Sequence, residues 1–150
     1  MAIMKETIRT EIENFLNKKT LAIVGVSRNR KKFSNKIYRY LKSKGYQLFI
    51  VNPNAESIEN EHCYPNLTEI PEKIDRVLIM VPRSETEKVI QDAIRSGISH
   101  IMIQQGAESE KAINLCKEKG IDIIAGECVL MFAEPTAFYH RIHRWIWNLT

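Results

Sequence analysis

The sequence predicts an α/β domain: a doubly wound, mainly parallel five-stranded Rossmann-type sheet with helices on both faces and an extra C-terminal helix. Three observations predict it. Five short apolar runs rich in Val, Ile and Leu read as buried strands. Helical patterns of roughly 10–15 residues separate most of them. Gly, Pro or Asn closes each element. Strands alternating with helices in this way are joined by right-handed crossovers, so the sheet is covered on both sides.

The elements follow in order. Ile8, Ile12, Phe15 and Leu16 recur at helical spacing and give an amphipathic helix over about residues 4–18. Thr20 to Val26 is an apolar run through Gly25, the first strand. Ile37, Tyr38 and Leu41, with a stop at Gly45, describe the next helix. Gln47 to Val51 is the second strand, closed by Asn52-Pro53. Arg76 to Val81 is the third, ending at Pro82. Ser84 reads as an N-cap with Glu85 and Glu87 in the first turn, and Gly97 as the stop. Ser99 to Ile103 is the fourth strand, Glu108 to Lys119 a helix, and Ile121 to Ala125 the fifth strand. Near the end, Phe138, Ile142, Trp145, Ile146 and Leu149 form an apolar stripe. This stripe fits a helix packed back on the sheet, or a contact with a second copy or another protein.

Bulk properties narrow the function classes. The 150 residues suit one domain, and I-V-L-rich runs with 27% charged residues suit a water-soluble one. No apolar run reaches the roughly 20 residues that span a bilayer, and the N-terminus lacks a signal-peptide core. A cytoplasmic location without membrane contact is therefore expected. The three cysteines show no CxxC and no zinc spacing, so neither a disulfide framework nor a metal site is indicated. The net charge is only +4, but Arg28, Arg30, Lys31 and Lys32 crowd one segment. Such a cluster suits a phosphate-bearing ligand. It lacks the interleaved aromatics of a nucleic-acid site, Phe33 aside.

In an open parallel sheet, ligands bind beyond the carboxyl ends of the strands at the point where strand order reverses. The residues to inspect are therefore those that follow each strand. Gly25 permits a tight turn and close approach of a ligand. Ser27 can donate to phosphate oxygen, and the helix starting near residues 33–35 would aim free N–H groups at the same place. The fingerprint G-x-G-x-x-G is absent, because Ser27 and Arg30 replace its second and third glycines. An NAD site usually carries Asp or Glu at the tip of the second strand to hold the ribose hydroxyls. Here that position is Asn52. Catalytic groups are sparse: Cys128 reads as an inert buried thiol, Glu108 and Glu110 as first-turn helix acids, and the histidines fit no triad spacing.

The ordered set of motifs from Leu21 to about Glu134 resembles the small stand-alone CoA-binding proteins, relatives of the N-terminal domain of the succinyl-CoA synthetase alpha subunit. The matching stretches are Ala22 to Ser27, Lys32, Gly45-Tyr46, Val51-Asn52-Pro53-Asn54, Cys63 to Leu67, Ile70-Pro71, Asp75, Val81-Pro82, Gln104 to Ala107 and Glu127-Cys128. The resemblance implies coenzyme A or an acyl-CoA lying across the strand ends. The loop holding Gly25, Val26, Ser27, Arg28 and Lys32 would grip the phosphates. Asn52 and Pro53 would flank the nucleotide, and Val81, Pro82, Arg83, Gln105 and Gly106 would line the pantetheine side. Phe33-Ser34 stand where the family often has Pro-Gly, Asn60 where a glycine is common, and Asn54 where a base is frequent.

The function expected is non-catalytic binding of CoA or acyl-CoA in a regulatory, carrier or partner-delivery role. Two alternatives stand beside it: a non-catalytic subunit of an acyl-CoA ligase-type enzyme, and an NAD(H)-binding redox sensor.

Overall fold

The computed structural model describes residues 2–128, with side chains from Thr7 onward; the expected C-terminal helix lies outside the described residues. The elements are α1 (Ala2–Asn17), β1 (Thr20–Val24), α2 (Phe33–Ser43), β2 (Gln47–Val51), β3 (Ser57–Ile58), β4 (Glu61–Tyr64), β5 (Arg76–Ile79), α3 (Arg83–Arg95), β6 (His100–Gln104), α4 (Glu110–Glu118) and β7 (Asp122–Glu127). A short 3-10 turn at Leu67–Glu69 joins β4 to β5.

The sheet has seven strands in the order β3-β4-β2-β1-β5-β6-β7. All neighbours are parallel except the β3–β4 hairpin. The fold class predicted is the one observed, with two more strands than the five expected. The extra pair escaped because β3 is two residues long and β4 reads Glu-His-Cys-Tyr, with no apolar run. Their β structure comes from β4 pairing through Cys63 and Tyr64 with Ile50 and Val51 of β2. Sequence periodicity does not report such pairing.

Alternation along the strands assigns each face to its helices. Leu21, Ile23, Leu78 and Met102 join Ile12, Phe15, Leu16, Ile37, Tyr38 and Leu41 in one buried cluster, so α1 and α2 cover that face. Ala22, Val24, Val77, Ile79, Ile101 and Ile103 join Ile90, Ala93, Ala112 and Cys116 in the other, under α3 and α4. The phenol of Tyr46 lies at the bottom of the first cluster and donates to the Leu16 carbonyl at 2.6 Å. At the amino end of β5, Lys18 pairs with Asp75 at 3.0 Å. Burial alone would raise the Asp75 pKa, but the hydrogen bond and charge of Lys18, with Arg76 and His100, bring it below the ordinary value.

Two helix starts differ from the sequence reading. The α3 helix begins at Arg83 with Pro82 in the cap position, so Ser84 lies inside the first turn and caps nothing. The α4 helix begins at Glu110, capped by Ser109, whose side chain accepts from the Ala112 amide. Glu108 therefore precedes the helix rather than sitting in its first turn. Both starts are displaced by two residues from the sequence reading, and shifts of this size leave the periodicity unchanged.

Candidate functional site

Strand β1 is the pivot of the sheet. The chain leaves it through α2 to β2 on one side, while β5, β6 and β7 extend the other side. The carboxyl ends of β1 and β5 thus border the switch point. They approach closely there: Met80 N donates to the Val24 carbonyl at 2.8 Å. Gly25 follows with φ of +116°, and a Cβ on it would lie 2.5 Å from Met80 O. Both the backbone conformation and the contact require glycine at this position.

The turn after Gly25 is held from below by a residue the sequence reading did not single out. Asn35, in the first turn of α2, is fully buried. Its Oδ1 accepts from the Ser27 amide at 2.8 Å, and its Nδ2 donates to the Ser27 carbonyl at 2.6 Å. One side chain therefore clamps both backbone polar groups of Ser27. Beyond it, Ser27 Oγ accepts from the Asn29 amide at 3.0 Å, and Asn29 Oδ1 accepts from the Lys31 amide at 3.1 Å. These side-chain-to-backbone bonds shape the loop without secondary structure. No side chain caps the start of α2, and Phe33 packs against the core rather than lining the crevice. The side chains gained at Phe33-Ser34 therefore do not narrow it.

The four loop cations divide into two kinds. Arg30 Nε lies 3.6 Å from Glu59 Oε2, whereas Arg28, Lys31 and Lys32 are exposed and make no ion pair among the described residues. Glu59 also holds Arg39 Nη1 at 3.0 Å, and Arg39 Nη2 donates to the Arg30 carbonyl at 2.9 Å. Glu59 and Asn60 form the tip of the β3–β4 hairpin with φ of 54° and 61°. Two consecutive positive φ values fit the two-residue hairpin turn that matches strand twist. Asn60 tolerates this conformation, so the turn survives without the family's glycine.

Beside the loop opens a cavity of about 600 Å³, within the range of small-molecule sites. Its walls include Gly25, Val26, Ser27, Asn52, Pro53, Val81 and Pro82, seven of the twelve residues expected from sequence. Asn54 is also there, as are Pro65, Asn66 and Thr68 from the turn after β4. The opposite wall is one face of α3: Glu85, Lys88, Val89, Asp92 and Arg95. Their helical spacing was visible in the sequence, but which face of α3 borders the crevice was not. Asp92 fixes this wall to the turn, its Oδ2 accepting from the Leu67 amide at 2.8 Å.

Asn52 is engaged with the scaffold: Nδ2 donates to the Val26 carbonyl at 3.1 Å and Oδ1 accepts from the Asn54 amide at 2.8 Å. It ties the tips of β1 and β2 together and places no carboxylate between them. Arg28, Lys32, Arg83, Gln105 and Gly106 lie outside the cavity wall. The last three belong to a separate arrangement. The Gly106 amide donates to Glu108 Oε2 at 2.6 Å, and Arg83 Nη2 lies 3.7 Å from Glu108 Oε1. Thr86 Oγ1, buried, donates to the Ala107 carbonyl at 2.6 Å and fastens this loop to α3.

The nucleophile inventory is poor. Burial pushes the Cys116 thiol up to about 11 and raises Cys63, so both are protonated at neutral pH. Cys128 is buried too. Among the described residues, no group of three or more His, Cys, Asp or Glu side chains has the proximity to hold a metal. No helix among them is long and apolar enough to cross a membrane.

Fold and crevice together define a Rossmann-type α/β domain with a cavity at its switch point. Residues 19–134 match the family model described as CoA binding domain, and the chain belongs to that family. An ADP-forming acetate–CoA ligase II from Archaeoglobus fulgidus is 30% identical over 125 residues, which cover 75% of this chain and 19% of the ligase. The uncharacterized protein YneT of Bacillus subtilis is 26% identical over 84% of this chain and 94% of its own length. A solved structure of a conserved hypothetical protein from Pyrococcus furiosus is 33% identical, with a TM-score of 0.71 over 75% of this chain and 97% of that one. The chain thus spans about a fifth of that ligase, and is homologous to the CoA-binding part of such enzymes.

Proposed function

We propose that this chain binds coenzyme A or an acyl-CoA non-covalently in the crevice and carries no catalytic centre of its own, serving a regulatory, carrier or partner-delivery role. The observation that carries this reading is the hydrogen-bonded turn from Gly25 to Lys32, whose first residues line the switch-point cavity and which carries three exposed cations that make no ion pair among the described residues. A phosphate chain is the ligand chemistry that exposed cations recognise. Membership of the CoA-binding-domain family supports CoA as the bearer of those phosphates. The neutral Asn52, already bonded to Val26 and Asn54, weighs against NAD(H), whose ribose hydroxyls need an acid at this position.

Titration with CoA, acetyl-CoA and NADH, read by calorimetry and thermal unfolding, tests the reading. CoA at a hundredfold excess over its Kd is expected to stabilise the fold by about 2.7 kcal/mol. Saturable NADH binding with no response to CoA would reverse the assignment.

One observation favours a second reading, a non-catalytic subunit of an acyl-CoA ligase-type enzyme: the match to a ligase five times longer than the aligned segment. Acyl-CoA formation that appears only when a partner chain is added to this one would establish it.

A further inference from the structure

Glu59 is an unusual residue for the place it occupies. It stands first in a two-residue hairpin turn with φ of 54°, where Gly, Asn or Asp is the unstrained choice. Yet its side chain is only 6% exposed and points back under the cationic turn. Strain retained at such a position is a pointer to a role for the side chain itself.

Its contacts define that role. Oε1 accepts from Arg39 Nη1 at 3.0 Å and from Asn35 Nδ2 at 3.2 Å, while Oε2 faces Arg30 Nε at 3.6 Å. Asn35 in turn holds both backbone groups of Ser27, and Arg39 holds the Arg30 carbonyl at 2.9 Å. The routes through Asn35 and Arg39 therefore end on the backbone of Ser27 and Arg30. The acid also draws Arg30 and Arg39 together without repulsion, leaving Arg28, Lys31 and Lys32 as the cations open to solvent.

We infer that Glu59 is a positioning residue of the anion site: from the hairpin tip it fixes the phosphate-facing turn through Asn35 and Arg39. The inference rests on the turn being the phosphate site, as proposed above. It makes the edge hairpin, which contributes no residue to the cavity wall, part of the binding apparatus. Because linkage is reciprocal, a ligand that orders the turn also steadies the hairpin.

The test uses Glu59→Gly, which relieves the backbone strain, and Glu59→Gln, which keeps length and hydrogen bonding but removes charge. The full chain is titrated with CoA at near-physiological salt. Amide hydrogen exchange of Ser27 and Asn29 is followed without ligand. Glu59→Gly is expected to remain as stable to heat as the parent, to exchange these amides faster and to bind CoA about tenfold more weakly, the effect of losing pre-organisation. Glu59→Gln is expected to fall between the two. A purely structural turn residue would leave amides and affinity unmoved in a stably folded Glu59→Gly, and that result overturns the inference. Should the parent bind no CoA, or Arg28→Ala with Lys32→Ala leave its affinity unchanged, the failure lies instead with the phosphate reading.

Discussion

The two strand-end loops that border the molecule's carboxyl edge are built in opposite ways. After β1, the turn from Gly25 to Lys32 presents cations outward while Asn35 and Glu59 satisfy its backbone and inner charges from below. After β6, the loop from Gln105 to Glu108 turns inward on itself. Glu108 takes the Gly106 amide and faces Arg83, so both the free N–H and the cation are already answered by the protein. The same residue types, a glycine with positive φ and a nearby arginine, thus give a turn with solvent-exposed cations in one place and a closed turn in the other. The difference is whether an acid of the chain reaches the donors first. At the first loop the acid is beneath the turn and meets Arg30, Arg39 and the Asn35 amide group; at the second it occupies the donor itself.

Breaking the open turn should cost most. Gly25→Ala drives a Cβ to 2.5 Å from Met80 O at φ of +116°. It is expected to destabilise by about 2–5 kcal/mol, the sum of backbone strain and overpacking, measured by denaturant unfolding. Asn35→Ala strips the partners from two Ser27 backbone groups and should cost about 2–4 kcal/mol. Asn35→Asp should be at least as harmful, because it sets a second carboxylate against Glu59 in a nearly buried place. If both variants unfold like the parent, the turn is not held as described.

The exposed cations should show the reverse profile. Arg28→Ala combined with Lys32→Ala is expected to leave stability within about 0.5 kcal/mol, since neither side chain is buried or in an ion pair among the described residues. Calorimetry should nevertheless find CoA bound tenfold or more weakly, roughly the worth of one charged hydrogen bond, with a shallower dependence on salt. The smallest effect is expected at the closed loop. Glu108→Gln keeps an acceptor for the Gly106 amide and loses only an ion pair with the largely exposed Arg83, worth about 0–1 kcal/mol. CoA affinity should change by less than about threefold. A larger gain would mean that the ligand's far end reaches Gly106 and competes with this carboxylate, in keeping with the pantetheine-side role that the family resemblance implies for that loop.

Much of this was legible in the chain. The five long strands follow from apolar runs, and Gly25, Ser27, Asn52, Pro53, Val81 and Pro82 reach the cavity because strand ends and switch point are predictable together. Arg83, Gln105 and Gly106 did not reach it, since following a strand says nothing about which way a loop folds. The α3 wall was missed for a related reason: Glu85, Lys88 and Asp92 look like any solvated helix face until the tilt of the helix over the sheet is known. Asn35 and Glu59 gave no signal, being polar residues in unremarkable local contexts 24 positions apart that meet only in the fold.

By itself the sequence determined which apolar residues of the long strands and helices face the core, because periods of two and of 3.6 are local properties of a strand and a helix. It also determined that a glycine and a group of cations follow the first strand. Only the tertiary structure decided which of those cations remain open, because Glu59 arrives from a distant hairpin to neutralise some and not others. It decided the edge strands as well, since their hydrogen bonds belong to a neighbour rather than to their own residues. Charge and pairing act through space, and distance along the chain does not report distance across it.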